Sequence, residues 1–552
     1  MTNSEKMAEL LLPNIDKTPD YYENLYPERN LPEGARVTRF APSPTGYLHL
    51  GGLFGATADM LTAKGTKGVF ILRIEDTDKK REIEDGVTGI IEGLEAFGVI
   101  PNEGVTGLGT EKGAYGPYTQ SKRKDIYQCF AKELIKKGLA YPCFCSAEKL
   151  DEIRSEQEKA GVNKGYYGEW ACCRNITVEE AEKRIAAGEQ FVVRFRSPGV
   201  ETNKCYFEDV IRGKIEMQEN TQDVVILKTD GIPTYHFAHA VDDHLMRTTH
   251  VIRGDEWIAS VPIHLQLFKA CGFKIPKFAH TAAVMKEENG GKRKLSKRKD
   301  PEAAVSYFVE KGYPAECVIE YLLTLLNSNF EDWRRTNKDA SIDSFPYNLK
   351  KMSVSGALFD MNKLNDISKN KIAFMSADEV YSRACEWAKT YDGDFYAKLT
   401  ENEAKQKAII NLDREGKNPR KDIAKWDELK NYFSYFYPEY YEENFTLPEH
   451  IGKEDAIAIL KAYSEIYSPE DEKDVWFSKI KELCEPLGFT PNVKEFKQNP
   501  DAFKGHVGDV STVIRIAITS RTNTPDLCAI MGILGKDEVL SRIERAIKFY
   551  EN

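Results

Sequence analysis

The chain has 552 residues, 41% of them hydrophobic and 30% charged, with a formal net charge of −10. That length exceeds what one core supports, so roughly three or more compact units are expected; no apolar run reaches membrane-spanning length, and the N-terminus has no signal-peptide pattern. The acidic total argues against a general nucleic-acid coat, and 11 scattered cysteines suit reduced thiols in a soluble cytoplasmic protein better than a disulfide framework.

Residues 1–35 carry several prolines and no steady period, which predicts one short helix and an irregular lead-in. From Arg36 to about Ala114 the pattern is strand, helix, strand, helix. Val69-Phe70-Ile71-Leu72-Arg73-Ile74 is a near-continuous apolar run, as a buried parallel strand requires. Glu84 to Phe97 places Val87, Ile90, Ile91 and Leu94 at helical spacing. This is α/β logic, with ligands expected at the carboxyl ends of the strands. Residues 115–229 read as an α+β insertion, with helices over Lys122–Lys137 and Val178–Ala187, a cysteine cluster, and a strand at Phe191–Phe195. The α/β pattern resumes with Val224–Lys228 and Thr249–Arg253, and after a basic loop near Lys294 the chain is mainly helical to its end. Most of Trp426, Tyr432, Phe433 and Tyr435, in the helical half, read as core aromatics on helix faces.

Two segments carry chemistry. Arg39-Phe40-Ala41-Pro42-Ser43-Pro44-Thr45-Gly46-Tyr47-Leu48-His49-Leu50-Gly51-Gly52 runs from a strand through a Pro-rich turn into a helix start. A helix N-terminus favours anionic oxygens, Gly51 and Gly52 let a ligand approach the backbone, and His49 can hydrogen-bond a phosphate. Lys292-Arg293-Lys294-Leu295-Ser296-Lys297-Arg298-Lys299 follows Gly290-Gly291 and reads as a mobile basic loop. Its lysines are compact charges suited to phosphate oxygens in a transition state. No P-loop sequence occurs. Glu75 ends the second strand and can hold an ammonium group; Arg39 and Arg253 end other strands and can meet carboxylates with bidentate geometry. Cys143-Phe144-Cys145 is a candidate metal half-site, with Cys172-Cys173 later and Tyr166-Tyr167 just before them; four thiolates, or thiolates with one other ligand, suit tetrahedral Zn²⁺.

Taken together, the His49 segment, the Lys294 loop and Arg73-Ile74-Glu75-Asp76-Thr77-Asp78 resemble the signatures of class I aminoacyl-tRNA synthetases, the HIGH and KMSKS motifs, in the wording of bacterial glutamyl-tRNA synthetases. The resemblance implies a Rossmann-like catalytic domain over 36–114 and 230–285, and an inserted acceptor-end-binding domain over 115–229. It further implies a phosphate-loop and stem-contact domain over 286–372 and an all-helical anticodon-binding region over 373–552, with 1–35 an extension. Arg515-Ile516-Ala517-Ile518-Thr519-Ser520-Arg521-Thr522 keeps the bacterial form near the C-terminus.

The same resemblance implies ligation of L-glutamate to tRNA through a glutamyl-adenylate, with ATP accompanied by Mg²⁺, no membrane partner and a monomeric chain. Relatives need bound tRNA to form the adenylate efficiently. His49, Lys294, Ser296 and Lys297 are then catalytic, and His49, Gly51, Gly52, Lys294 and Lys297 hold ATP. Arg39, Ala41, Ser43, Glu75, Tyr235 and Arg253 line the glutamate site, where Arg253 reads the side-chain carboxylate; glutaminyl relatives lack that arginine. His239 either touches substrate or stands behind it. Zinc falls to Cys143, Cys145, Tyr167 and Cys173, as in relatives using C-x-C, a tyrosine and a later cysteine. Gly52 departs from the second histidine of HIGH, a place where bacterial glutamyl enzymes vary. The alternatives are an enzyme that also charges glutamine tRNA, a tRNA-modifying paralogue, and an inactive RNA-binding relative. The long helical C-terminal half argues against the paralogue, and the intact Arg39, His49, Glu75, Arg253 and Lys297 argue against the inactive relative.

Overall fold

A computed structural model describes residues 1–78, 83–296 and 298–552. Among them no helix is long and apolar enough to cross a membrane. The chain forms two compact units, one of residues 1–308 and 318–360, the other of residues 309–317 and 361–552.

In the first unit two helices, α1 (Asn3–Leu11) and α2 (Pro19–Leu25), precede the sheet, where the sequence suggested one. Thr2 and Glu5 form a reciprocal capping box that starts α1. Strand β1 (Val37–Phe40) leads into α3 (Leu50–Lys64), β2 (Val69–Leu72), α4 (Gly86–Glu95), β3 (Glu103–Gly107) and β4 (Thr110–Lys112). β1, β2 and β3 are parallel neighbours in that order, and β4 returns antiparallel. Next come α5 (Lys124–Lys136), β5 (Ala140–Cys143), α6 (Ala147–Ala160), α7 (Val178–Ala186), β6 (Val192–Phe195), the hairpin β7 (Lys204–Asp209) and β8 (Gly213–Gln218), and β9 (Val225–Leu227). Then α8 (Tyr235–Leu245), β10 (His250–Gly254), α9 (Val261–Cys271) and β11 (Lys277–Thr281) rebuild a parallel pair.

The Thr249 N–H donates to the Val37 carbonyl at 2.9 Å and its hydroxyl accepts from Val37 N–H at 2.8 Å, so the start of β10 lies against β1. β1 thus has its successor β2 on one side and the late strand β10 on the other. Chain order reverses there, and a crevice opens at the carboxyl ends of β1 and β10, where open α/β sheets take their ligands. The central strand β2 is apolar on both faces, with Val69, Phe70, Ile71 and Leu72 all buried.

The region 115–229 does not stand apart as the sequence suggested. Its sheet β5–β6–β9 includes Val225–Leu227, which was expected to resume the catalytic sheet. Its hairpin instead extends the catalytic sheet, with β7 beside β11 in the order β10–β11–β7–β8. α5 also packs on α8 and α9. This sharing explains two units where more were expected.

After β11, β12 (Val284–Glu288) and β13 (Gly291–Lys294) make a hairpin that turns at Asn289-Gly290, both with positive φ (52° and 77°). β12 also pairs with β14 (Ala357–Leu358), which ties the stretch to Asp360 into the first unit. In this division residues 361–372 belong to the second unit. The second unit is all-helical. Its core gathers Ile372, Trp426, Phe433, Tyr435, Val513, Ile514 and Ile543, so three of the four aromatics are buried core residues, and Tyr432 is half-buried against that core. The helices Val507–Thr519 and Lys536–Glu551 follow the apolar spacing seen in the sequence.

Candidate active site

The crevice holds a cavity of about 1130 Å³. Arg39, Ala41, Ser43, Glu75, Tyr235 and Arg253 all line it, as do His49, Gly51, Gly52 and Lys294. Residues far apart in sequence meet there because most of them end a parallel strand, lie in the turn after one or begin the helix that follows, while Lys294 ends the hairpin strand β13.

His49 is the N-cap of α3, and its Nδ1 accepts the Gly52 N–H at 3.0 Å. With Nδ1 accepting, the neutral ring carries its proton on Nε2, the form that donates to an oxyanion. A Cβ on Gly51 would lie 3.0 Å from His49 Nδ1, and one on Gly52 2.9 Å from Leu48 Cδ1. Gly51 therefore leaves room for the capping ring and Gly52 for Leu48, and both bare the backbone.

Charge in the crevice is organised from α8, which buries Asp242 and Asp243 side by side. Asp243 accepts from Arg39 Nε at 3.0 Å and from Arg73 Nη1 at 2.7 Å. Both guanidiniums and the nearby His239 hold its carboxyl well below the usual carboxylate range against the opposing effect of burial. Asp242 accepts from Arg123 Nε at 2.7 Å, Gln120 Nε2 at 2.9 Å and the Tyr127 hydroxyl at 2.8 Å. Glu75 receives Arg73 Nη2 on Oε1 at 3.1 Å, and burial pushes its carboxyl up against the pull of Arg73 and Arg39.

Arg253 differs from Arg39 and Arg73. Its side chain is only 9% exposed, yet among the described residues no carboxylate pairs with it. Nε donates to His280 Nε2 at 3.2 Å, Nη1 to the Tyr235 hydroxyl at 3.3 Å, and Nη2 lies 3.1 Å from His264 Nδ1. Burial without a counter-charge pulls its pKa down.

His239, expected as a possible substrate contact, is fully buried and lies outside the cavity wall. It stacks behind Tyr235 with ring centroids 5.8 Å apart, its Nδ1 2.6 Å from Asp243 Oδ2. Burial depresses its pKa to about 3, so it stands as a neutral ring behind the site.

In the basic loop Lys294 is exposed and reaches to 4.0 Å from Glu256. Ser296 does not line the cavity; its N–H donates to Asp300 Oδ2 at 2.9 Å. Asp300 also takes two bonds from Arg293, at 2.6 and 2.7 Å, and anchors the loop. Lys297 lies outside the described residues.

The cysteine cluster assembles Cys143, Cys145 and Cys173, whose sulfurs all lie within 4.8 Å of one another. Cys145 and Cys173 are 3.7 Å apart, close to the ~3.8 Å edge of a tetrahedron with Zn–S bonds of about 2.3 Å. The fourth donor at hand is Tyr166, not Tyr167: the Tyr166 hydroxyl lies 3.4 Å from Cys143 and 3.3 Å from Cys145. The Tyr167 hydroxyl points away and donates to the Asn163 carbonyl at 2.5 Å. Arg194 stacks on the Tyr166 ring at 4.0 Å and helps fix it. Cys172 is exposed, 3.3 Å from Cys145. This donor set fits a tetrahedral Zn²⁺.

Asp209, Asp242, Asp243, His264, His280 and Asp300 were not picked out from the sequence. Two signals pointed to most of them. Adjacent acids interrupt the otherwise apolar run Phe237–Leu245, and six of the chain's 9 histidines fall between residues 236 and 280.

The family described as "tRNA synthetases class I (E and Q), catalytic domain" matches residues 36–366, and an "Anticodon binding domain" matches residues 381–547. A glutamate–tRNA ligase of Clostridium perfringens (strain 13 / Type A) is 50% identical over 543 residues, 98% of this chain and 100% of its own. One from Acetivibrio thermocellus is 50% identical over 544 residues, with 98% and 100% covered. Among solved structures, a glutamate tRNA ligase from Elizabethkingia meningosepticum in complex with its amino acid superposes with a TM-score of 0.76 at 30% identity. That match covers 93% of this chain and 99% of that one.

Proposed function

The chain belongs to the class I glutamate–tRNA ligases, and on that premise we propose that its crevice joins L-glutamate to tRNA, with Arg253 reading the side-chain carboxylate of the amino acid. The observation that carries the assignment is the buried Arg253 without an ion-pair partner among the described residues, beside Arg39 and Arg73, which both have one. Glutamate brings the missing charge and glutamine does not. Glu75 takes Arg73 and Gln120 on Oε1 and would offer Oε2 to the ammonium group.

The reaction needs little side-chain acid–base work. The α-carboxylate of glutamate is already ionised and attacks the α-phosphorus of ATP in line; pyrophosphate leaves and glutamyl-adenylate forms. A ribose hydroxyl of the terminal tRNA adenosine then attacks the mixed anhydride, giving glutamyl-tRNA and AMP. Catalysis is positioning and charge stabilisation. His49 Nε2–H, the bare start of α3 and Lys294 would meet the phosphates, with Lys297 and Ser296 completing the loop, and Mg²⁺ would enter with ATP. The helical second unit would take the anticodon, which counts against a modifying paralogue lacking such a region. A cytoplasmic monomer is the setting that this chemistry suits.

ATP–pyrophosphate exchange with tRNA present tests the assignment. L-glutamate should support exchange at least about a hundredfold better than L-glutamine, given the cost of burying an unpaired charge. Equal exchange with both would remove the assignment.

Cys143, Cys145, Cys173 and Tyr166 would hold a structural Zn²⁺ that supplies shape rather than reactivity to the insertion. The small core beneath, Tyr141, Ile153 and Ala171, is too slight to set this loop alone. Protein purified without chelator should carry about one zinc per chain, and Cys143→Ser should lower that content. Fully active protein free of zinc by elemental analysis would leave the cysteines as ordinary thiols.

A further inference from the structure

Among the described residues the Arg253 side chain hydrogen-bonds only with neutral partners. Of its five N–H groups, Nε–H goes to His280, one on Nη1 to Tyr235 and one on Nη2 to His264. One N–H is left on each terminal nitrogen, the number a bidentate carboxylate needs.

The chain fixes the two histidines as acceptors from behind. His280 Nδ1 lies 2.7 Å from Asp209 Oδ2 and donates to it, which leaves the lone pair of Nε2 toward Arg253. Asp209 is itself pinned at the end of β7: Oδ1 takes the N–H groups of Ile211 and Arg212, each at 2.9 Å, and Oδ2 also takes the N–H of His280 at 3.0 Å. Its charge is spread over these donors and lies one residue behind the guanidinium. His264 Nε2 is 3.0 Å from His236 Nδ1, so a proton on His264 Nε2 satisfies that contact and leaves Nδ1 to accept from Arg253. Burial and the nearby Arg253 disfavour the charged form of both rings.

We propose that His264 and His280 are positioning residues that satisfy Arg253 without cancelling its charge, Asp209 setting the His280 tautomer, and that this neutral cradle lets the site separate a side-chain carboxylate from a side-chain amide. A carboxylate in either place would orient the guanidinium equally well but would neutralise it, and glutamate and glutamine would then be met alike. The hairpin β7–β8, within the stretch that the resemblance gave to an acceptor-end insertion, thereby serves amino-acid selection. The proposal rests on the reading that Arg253 takes the distal carboxylate of the substrate.

The test is pyrophosphate exchange with saturating tRNA on the full chain, measuring kcat and KM for L-glutamate, L-glutamine and ATP. His264→Glu installs the counter-charge and should lower the glutamate-to-glutamine ratio of kcat/KM by about a hundredfold, through KM for glutamate, with KM for ATP unchanged. His264→Gln keeps an uncharged acceptor and should hold the ratio within about fivefold of the wild type. His280→Leu should raise KM for glutamate about ten- to a hundredfold, the ordinary cost of a lost hydrogen bond to a charged group, and His280→Gln should restore most of that loss. An unchanged ratio in His264→Glu, or equal falls for both amino acids, would overturn the proposal. So would a His280→Leu defect that His280→Gln shares in full. If His264→Glu fails to show the wild-type melting transition, the two His280 variants decide alone. Arg253→Ala separates the layers: selectivity lost there but kept in His264→Glu defeats the cradle alone, whereas selectivity kept in Arg253→Ala defeats the reading beneath it.

Discussion

Arg253→Ala is expected to raise KM for glutamate by roughly two to three and a half orders of magnitude, the equivalent of the ~3–5 kcal/mol lost when one partner of a buried ion pair is removed. KM for ATP should stay within about threefold, because binding lost uniformly from one substrate appears in that substrate's KM. The asymmetry follows from position. Arg253 ends β10 and touches Tyr235, His264 and His280, whereas the phosphate groups belong to His49 and the start of α3. Steady-state kinetics for each substrate is the measurement, and matched losses for glutamate and ATP would take Arg253 out of its role.

The second large effect is on stability. Asp243→Asn should cost about 3–5 kcal/mol, because Arg39 and Arg73 both lean on that carboxylate and would be left buried with too little negative charge. At ~2–4 °C per kcal/mol for a large domain, the melting point should fall by roughly 10 °C at neutral pH. The sign with pH follows from the lowered folded-state pKa of Asp243. Such a group stabilises above the unfolded-state value, and that contribution is lost as pH falls through the folded-state value. The gap between wild type and variant should therefore narrow from about pH 4 downward. A neutral-pH melting point within a degree of wild type would show that the network does not depend on Asp243.

The parallel strands and the helix after His49 were legible because buried strands and Pro-Gly turns leave local marks. The helix α6 was missed because its face is almost wholly polar, with only Ile153 and Gln157 buried. The hairpin β7–β8 was missed because it alternates exposed and half-buried residues and owes its place to β11. In the site, residues that touch the cavity came with recognisable neighbours: Arg39, Glu75, Tyr235 and Arg253 all line it. The groups that aim them lay hidden. Asp243 sits about two hundred residues from Arg39 (|i−j| = 204), and no sequence window holds both. Tyr166 and Tyr167 are adjacent, and spacing cannot tell which ring faces the cysteines; the fold turns Tyr166 inward.

The place of β1 between β2 and β10 also sets a timetable for the nascent chain. β1, β2 and β3 leave the ribosome early, but the strand that closes the far side of β1 is not made until residues 249–254. At the ~5–20 residues per second of synthesis, the wait after β3 is on the order of ten seconds. During it β1 presents an unpaired edge, the kind of surface on which strands of other chains add. Arg29, which reaches both Glu103 and the Met246 carbonyl, is likewise held at one end only until then. A ribosome-bound chain stopped near residue 230 should therefore be open to proteolysis around β1, and one extended well past residue 281 should be closed.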